Sequence, residues 1–355
     1  MAPSRSPGAL NMSDLPDFEE RARALLPPHV SAYFAAIAGA GVGFDEGTAD
    51  WSAVRFRPRV LRDVGSVSLS TTILGTPVRT PVLVAPMAQQ VGAHPDGEVA
   101  MGRAVAATGS LLGVSTNTGV PFTAIAQTGA PWWFQVYVTR DRSLTERLVE
   151  RAVANGAQAL LLTVDMIIPL PAQVNPLGWP DSPAKVRLAN LTAEEQAAAG
   201  LAGTEIDRSI NFDTIGWLRE LSGLPVLVKG VLRADDAWRC VDAGAAGVVV
   251  STHGGRRLGP TASAARALPE IVAAIGDHAE IYADSGIRSG EHVAAALAMG
   301  ARGVFVGRPV LWALAAAGEE GAEQVIKSLT KELAHVMIQL GTASVDELTP
   351  DLIAS

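Results

Sequence analysis

From residue 81 onward the chain alternates short apolar runs with longer stretches whose apolar positions recur every three or four residues. The runs cover 82–85, 111–114, 133–137, 159–164, 225–228, 247–250, 280–283 and 303–306. Runs this short, bounded by turn-forming residues, read as buried strands. The stretches between them, such as 144–153, 235–243 and 293–299, have helical spacing. Several close on glycine, as at Asn155-Gly156 and Ala243-Gly244, where a left-handed residue ends a helix without steric cost. Eight strand–helix units with both sheet faces covered predict an α/β fold of the (β/α)8 TIM-barrel type.

Ahead of the barrel, residues 13–40 carry capping and proline signals for two short N-terminal helices. After a loop at 39–43, alternation over 67–73 and 78–79 around Gly75 predicts a hairpin able to plug the bottom of the barrel. The regular spacing breaks once, after the fourth strand, where about 166–211 are rich in proline, alanine and polar residues. A stretch that long reads as a lid or a disordered loop. Residues 1–12 are expected to be disordered, and 13–355 to form one domain.

At 355 residues the length allows two average domains or one large barrel, and 48% hydrophobic residues supply a sizeable core. A net charge of −8, with no basic cluster longer than Arg256-Arg257, argues against a nucleic-acid partner. The single cysteine, Cys240, excludes an intrachain disulfide and reads as a small packed residue of a helix. The six histidines are scattered without paired helical spacing, so no metal site is expected. No apolar stretch has the length of a signal sequence or approaches the roughly 20 residues that cross a bilayer, which points to a cytoplasmic protein with no membrane partner.

Candidate chemistry collects where the strands end. The run Val248-Val249-Val250-Ser251-Thr252 stops on His253-Gly254-Gly255-Arg256-Arg257, putting a titratable base at the mouth of a core strand, with glycines that allow close backbone approach and an arginine able to fix an anion. The other strand ends present Pro86-Met87-Ala88, Ser115, Gln135 and Tyr137, Thr163 and Asp165, Lys229, Asp284-Ser285-Gly286-Ile287-Arg288, and Gly307-Arg308. Such a ring suits a large ligand whose anionic end lies at strands seven and eight, held by backbone N–H groups, a helix N-terminus and Arg308.

Taken together, Phe134-Gln135-Val136-Tyr137, Thr163-Val164-Asp165, Leu227-Val228-Lys229-Gly230, Ser251-Thr252-His253-Gly254-Gly255-Arg256, Asp284-Ser285-Gly286-Ile287-Arg288 and Gly303-Val304-Phe305-Val306-Gly307-Arg308-Pro309 resemble the FMN-dependent α-hydroxy-acid oxidase/dehydrogenase family, which includes glycolate-, lactate- and mandelate-oxidising enzymes. All motifs are in order over about 14–350. The resemblance implies FMN as cofactor, His253 as the base that takes a proton from the substrate, Asp165 as its orienting carboxylate, and Arg256 as the residue that binds the substrate carboxylate. It implies substrate hydrogen bonds from Tyr33 and Tyr137. The flavin would be contacted by Pro86, Met87, Ala88, Ser115, Gln135, Thr163, Lys229 and Ser251, and its ribityl and phosphate by Asp284, Ser285, Gly286, Arg288, Gly307 and Arg308. A carboxylate beside His253 is expected to raise its pKa and make it a better base. Molecular oxygen as electron acceptor and a homotetramer or homo-octamer complete the expectation.

Tyr282 reads as a structural tyrosine, and His29, His94, His278, His292 and His335 as surface or loop residues. Arg257, where the family usually has glutamine, reads as a solvated arginine in preference to a substrate contact. Other departures are Thr252, Gly259 and Asn117, the last in a pocket position often filled by an aromatic residue. The sharpest is Ala172, which stands where the family places a second carboxylate-binding arginine; Lys185 and Arg187 lie further along that loop. Two accounts follow. Either the substrate is a 2-hydroxy acid, preferred here with a bulky or aromatic side chain and held by Arg256 alone or with Arg257 or Arg187, or it is a less anionic α-hydroxy ester, amide or amine. A barrel that binds FMN without turnover is the third reading.

Overall fold

The computed structural model describes residues 15–168 and 188–354, and in it the eight apolar runs close into one parallel barrel. Its strands are β3 (Val82–Met87), β4 (Leu112–Ser115), β5 (Trp132–Val136), β6 (Leu160–Thr163), β7 (Val226–Val231), β8 (Gly247–Val250), β9 (Glu280–Ala283) and β10 (Gly303–Val306). Closure is made by β10 on β3, with Val304 opposite Val82 and Val306 opposite Val84. Alternate residues of each strand serve two cores. Leu83, Trp133, Leu161, Leu227, Val249, Tyr282 and Phe305 point inward and pack on one another, while Val82, Val84, Phe134, Leu160, Val248 and Val250 pack in the core that includes the outer helices. Burial on both faces is why the strands read as continuous apolar runs.

The inner core is dense with rings. Trp133 meets Tyr282 edge-on at 5.4 Å and Phe305 at 5.9 Å. Tyr282 is thus the structural tyrosine expected. Below it sits the hairpin of β1 (Thr71–Ile73) and β2 (Thr76–Val78), turned by Gly75 at φ +77°. Its Ile73 and Val78 join the inner core, and the N–H of Leu74 donates to Oε2 of Glu280 at 3.0 Å. The barrel is stoppered at that end, so any ligand must enter from the other, where the strands finish.

Two N-terminal helices, α1 (Leu15–Leu25) and α2 (Pro28–Ala35), form as expected, and a third, α3 (Val42–Ala53), had not been anticipated. Its inward face is Gly43, Gly47 and Trp51, too little apolar periodicity to betray a helix. Gly43 lets it press onto the loop after β8, where a Cβ would strike the carbonyl of Gly259, and a Cβ at Gly286 would strike the backbone of Gly47. Trp51 Nε1 donates to the carbonyl of Ser285 at 2.9 Å.

The stretch after β6 is only partly irregular. Helix α7 (Ala193–Gly203) opens on a capping box in which Thr192 and Glu195 bond each other's backbone N–H groups. Glu195 also takes a two-pronged bond from Arg151 of α6 (Arg142–Ala154), at 2.7 and 2.9 Å, which moors α7 to the barrel wall. Residues 169–187 and 1–14 lie outside the described residues, and with them Ala172, Lys185, Arg187 and the expected disordered start.

One histidine reading is overturned. His292, on α11 (Gly290–Ala298), is buried: Nδ1 accepts from the N–H of Arg288 at 3.2 Å and Nε2 pairs with Ser52 Oγ at 2.9 Å. Cys240 is a packed residue of α9 (Ala234–Asp242). Among the described residues no helix is long and apolar enough to cross a membrane, and no group of His, Cys, Asp and Glu side chains is arranged to hold a metal ion.

Candidate active site

Where the strands end, a cleft opens, and its centre is built around the exit of β8. His253 takes a left-handed backbone, φ +55°, unusual for a residue with a side chain. Its neighbours hold that turn. The N–H of His253 donates to Ser251 Oγ at 3.1 Å, and Ser285 Oγ accepts from the N–H groups of Thr252 and Gly254 at 3.1 and 3.0 Å. Ser285 in turn donates to Asp284 Oδ1 at 2.6 Å. Lys229 bridges the two sides, with Nζ 2.6 Å from Ser251 Oγ and 2.6 Å from Asp284 Oδ2. Ser251 is therefore a support for Lys229 and His253 and does not itself line the cleft.

Asp165, just past β6, also stands behind the lining, with Oδ1 3.0 Å from His253 Nδ1. Gly230 of β7 makes room for it, since a Cβ there would fall 2.6 Å from the Cβ of Asp165. A carboxylate can only accept, so Nδ1 carries the proton and the lone pair of Nε2 is left free. Burial pushes the Asp165 carboxyl up, but the charge and hydrogen bond of His253, aided by Lys229 and Arg257, outweigh it and hold the group below the usual carboxylate range. The expected rise for His253 is not found. Burial lowers its pKa below the ordinary value, and the Asp165 attraction offsets this only in part because Lys229 and Arg257 add repulsion. At neutral pH the ring is uncharged, the form a proton acceptor needs.

Tyr33, Tyr137 and Arg256 line the same cleft as His253. Burial, first of all, holds both phenols above their ordinary pKa, so they are hydrogen-bond donors throughout the neutral range. The Arg256 guanidinium lies 5.2 Å over the Tyr33 ring and donates to the Phe34 and Ala36 carbonyls at 3.1 and 3.4 Å. Arg257, read from the sequence as a solvated arginine, is half-buried. It lines the cleft, donating to the Ile168 carbonyl at 3.0 Å with its other terminal nitrogen 2.8 Å from Met166 Sδ. Phe34, Met166 and Leu311 also line it and were missed; single apolar residues give no chemical signal to find them by.

The remaining candidates fall at two ends. Pro86, Met87, Ala88, Ser115, Gln135 and Thr163 meet on one wall. There Gln135 Oε1 accepts from Ser115 Oγ and the Thr116 N–H, both at 3.2 Å, while its Nε2 and Thr163 Oγ1 are buried without a partner. At the far end Gly286, Arg288, Gly307 and Arg308 converge on the start of α12 (Arg308–Leu340). Burial, with repulsion from Arg288 and Arg256, pushes Arg308 down to about 9, and burial likewise lowers Arg288. Among the described residues no carboxylate lies within ion-pair distance of Arg256, Arg288 or Arg308. Two unpaired guanidiniums at a helix N-terminus call for an anion.

Residues 22–355 match the family described as FMN-dependent dehydrogenase. The chain belongs to that family. It is similar to the L-lactate oxidase of Nostoc sp., 38% identical over 347 residues, which cover 94% of this chain and 95% of that one. Among solved structures it resembles a mandelate oxidase variant with (S)-mandelic acid, with TM-score 0.86, 35% identity, and 96% and 97% of the two chains covered. A soluble mutant of the membrane-associated (S)-mandelate dehydrogenase from Pseudomonas putida superposes with TM-score 0.87 at 30% identity, over 96% and 98% of the chains.

FMN is the cofactor of the family, and the cleft fits it on two independent observations. The unpartnered donors Gln135 Nε2 and Thr163 Oγ1 suit the acceptor edge of a heterocycle, and the acid-free pair Arg288 and Arg308 suits a phosphate.

Proposed function

We propose that this protein oxidises an (S)-2-hydroxy acid with a bulky, aromatic-sized side chain to the 2-oxo acid, with dioxygen as final electron acceptor. The observation that carries the reading is the free Nε2 of His253, fixed by Asp165 and facing the same cleft as Arg256, Tyr33 and Tyr137. Arg256 takes the substrate carboxylate, while the Tyr33 and Tyr137 hydroxyls orient the carboxylate and the α-hydroxyl. His253 Nε2 receives a substrate proton, and Asp165 stabilises the imidazolium that results. Bound FMN supplies the two-electron oxidation. Pro86, Met87, Ala88, Ser115, Gln135, Thr163 and Lys229 hold its ring, with Ser251 steadying Lys229; Asp284, Ser285 and Gly286 lie along the ribityl chain, and Arg288, Gly307 and Arg308 hold the phosphate.

A bulky side chain is favoured because Asn117, in place of an aromatic ring, lines the wall, and because structural neighbours are mandelate enzymes. The same reading carries a cytoplasmic homotetramer or homo-octamer, which rests on the family resemblance. Ala172 favours a second reading, oxidation of a less anionic α-hydroxy carbonyl compound. The intact His253–Asp165 pair speaks against an FMN-binding barrel without turnover. Aerobic turnover of (S)-mandelate tests the proposal: one dioxygen consumed and one peroxide formed per 2-oxo acid supports it, and flavin reduction without oxygen uptake excludes dioxygen as the acceptor.

A further inference from the structure

Arg256 and Arg257 are adjacent in sequence, and side chains of adjacent residues ordinarily diverge. Here, just after the left-handed Gly254 and Gly255 at φ +65° and +72°, both guanidiniums nevertheless line the cleft that His253 faces. Arg256 is anchored from the N-terminal side by the Phe34 and Ala36 carbonyls. Arg257 is anchored by a different segment, the chain just beyond Asp165, at the Ile168 carbonyl and the Met166 thioether. Both line one cleft.

Arg257 is under-partnered where it stands. Its Nε is buried without a hydrogen-bond partner, one terminal nitrogen rests on a thioether, which is a weak acceptor, and among the described residues it forms no ion pair with a carboxylate. Its charge nonetheless reaches five groups of the site, favouring ionisation of Tyr33, Tyr137 and Asp165 and disfavouring the charged forms of His253 and Arg256. Two neighbouring cations that repel each other and lack an acid are complementary to an anion placed between them.

We propose that Arg257 is the second arm of a carboxylate clamp with Arg256 and makes this site select 2-hydroxy acids over their neutral analogues. The inference rests on the hydroxy-acid reading given above. It also accounts for two departures together: the guanidinium missing at Ala172 is supplied from the β8 loop, at the position where a neutral glutamine is usual.

The test compares FMN-loaded wild type with Arg257→Gln and Arg257→Lys. One readout is the dissociation constant of phenylacetate and of phenylacetamide, non-oxidisable probes followed by the perturbation of the flavin spectrum. The other is the concentration dependence of anaerobic flavin reduction by (S)-mandelate. Arg257→Gln should weaken phenylacetate and mandelate by about 10–100-fold, the worth of one charge-assisted bond. Phenylacetamide should change less than about two-fold, and Arg257→Lys should recover part of the loss. Equal weakening of acid and amide would show a purely structural role, and unchanged acid binding a solvated arginine; either overturns the clamp. If wild type binds phenylacetate but no hydroxy acid reduces its flavin, the proposed function fails while the probe titration still decides the clamp.

Discussion

Nδ1 of His253 stands 3.0 Å from Oδ1 of Asp165, and the contact commits the other ring nitrogen to the cleft. None of the cationic groups at the phosphate end depends on the imidazole ring. His253→Ala should therefore retain FMN stoichiometrically while flavin reduction by substrate falls by at least about 10²–10⁴-fold, the ordinary worth of a positioned general base. Anaerobic stopped-flow absorbance checks this, and near-normal reduction in the variant would remove His253 from the role of base.

The pH dependence follows from the balance around the same ring. Burial lowers the His253 pKa and Asp165 opposes the change. The base is neutral and competent above its lowered pKa, so reduction should be level near neutrality and decline only below the ordinary histidine value of about 6.5. In Asp165→Asn the opposing charge is gone, while burial, Lys229 and Arg257 remain. The acid limb should move to still lower pH, and the plateau should drop by about 10²–10⁴-fold as the imidazolium loses its partner. A limb that moves upward would contradict the assignment.

Arg308 is poised for an anion rather than for the fold. Its guanidinium lies 4.5 Å over the Phe44 ring and donates to the Gly254 carbonyl. Arg308→Ala should weaken FMN by about 10–100-fold, since bonds to a charged group are worth about 1.5–3 kcal/mol. Riboflavin, which lacks the phosphate, should bind wild type and variant alike. Fluorescence titration of apoprotein separates the two, and an equal loss for both ligands would place the phosphate elsewhere.

Buried His292 supports the loop that presents Arg288. Burial pushes its pKa down to about 4, while the unfolded chain takes up the proton near 6.5. Its contribution is intact above 6.5 and is lost as pH falls from 6.5 towards 4, at most about 3 kcal/mol. Thermal unfolding at pH 7 and pH 5 should therefore show a smaller drop in Tm for His292→Gln than for wild type, even if the variant starts lower. Identical drops would mean that another group governs acid stability.

The sequence was most legible where a residue's surroundings are set by its own strand. Eight strands could be read because both faces are buried, and the ring of candidate site residues because barrel strands deliver their last polar residues to one end. The capping box Thr192–Glu195 was an available signal for α7 that the prolines and alanines around it obscured. Helix α3 was hidden because it packs through Gly43 and Gly47 instead of an apolar stripe. The place of Arg257 in the cleft is set by contacts with Met166 and Ile168, which a sequence does not state. His292 looked solvent-facing among polar neighbours, yet its Nδ1 is satisfied by the N–H of nearby Arg288 and its Nε2 by Ser52 from a distant part of the chain. The sign of the His253 shift failed for a similar reason: Asp165 is visible in the motif, whereas burial and the positions of Lys229 and Arg257 belong to the assembled cleft.

The most direct measurement is anaerobic bleaching of the flavin absorbance of purified protein by (S)-mandelate, (R)-mandelate, L-lactate, and the methyl ester and amide of (S)-mandelate. The account predicts fast and complete bleaching by (S)-mandelate, slower bleaching by lactate, and little by the (R) enantiomer or the neutral analogues. Bleaching by the ester or amide but not by the acid would contradict it, and would assign the cleft to a substrate without a carboxylate.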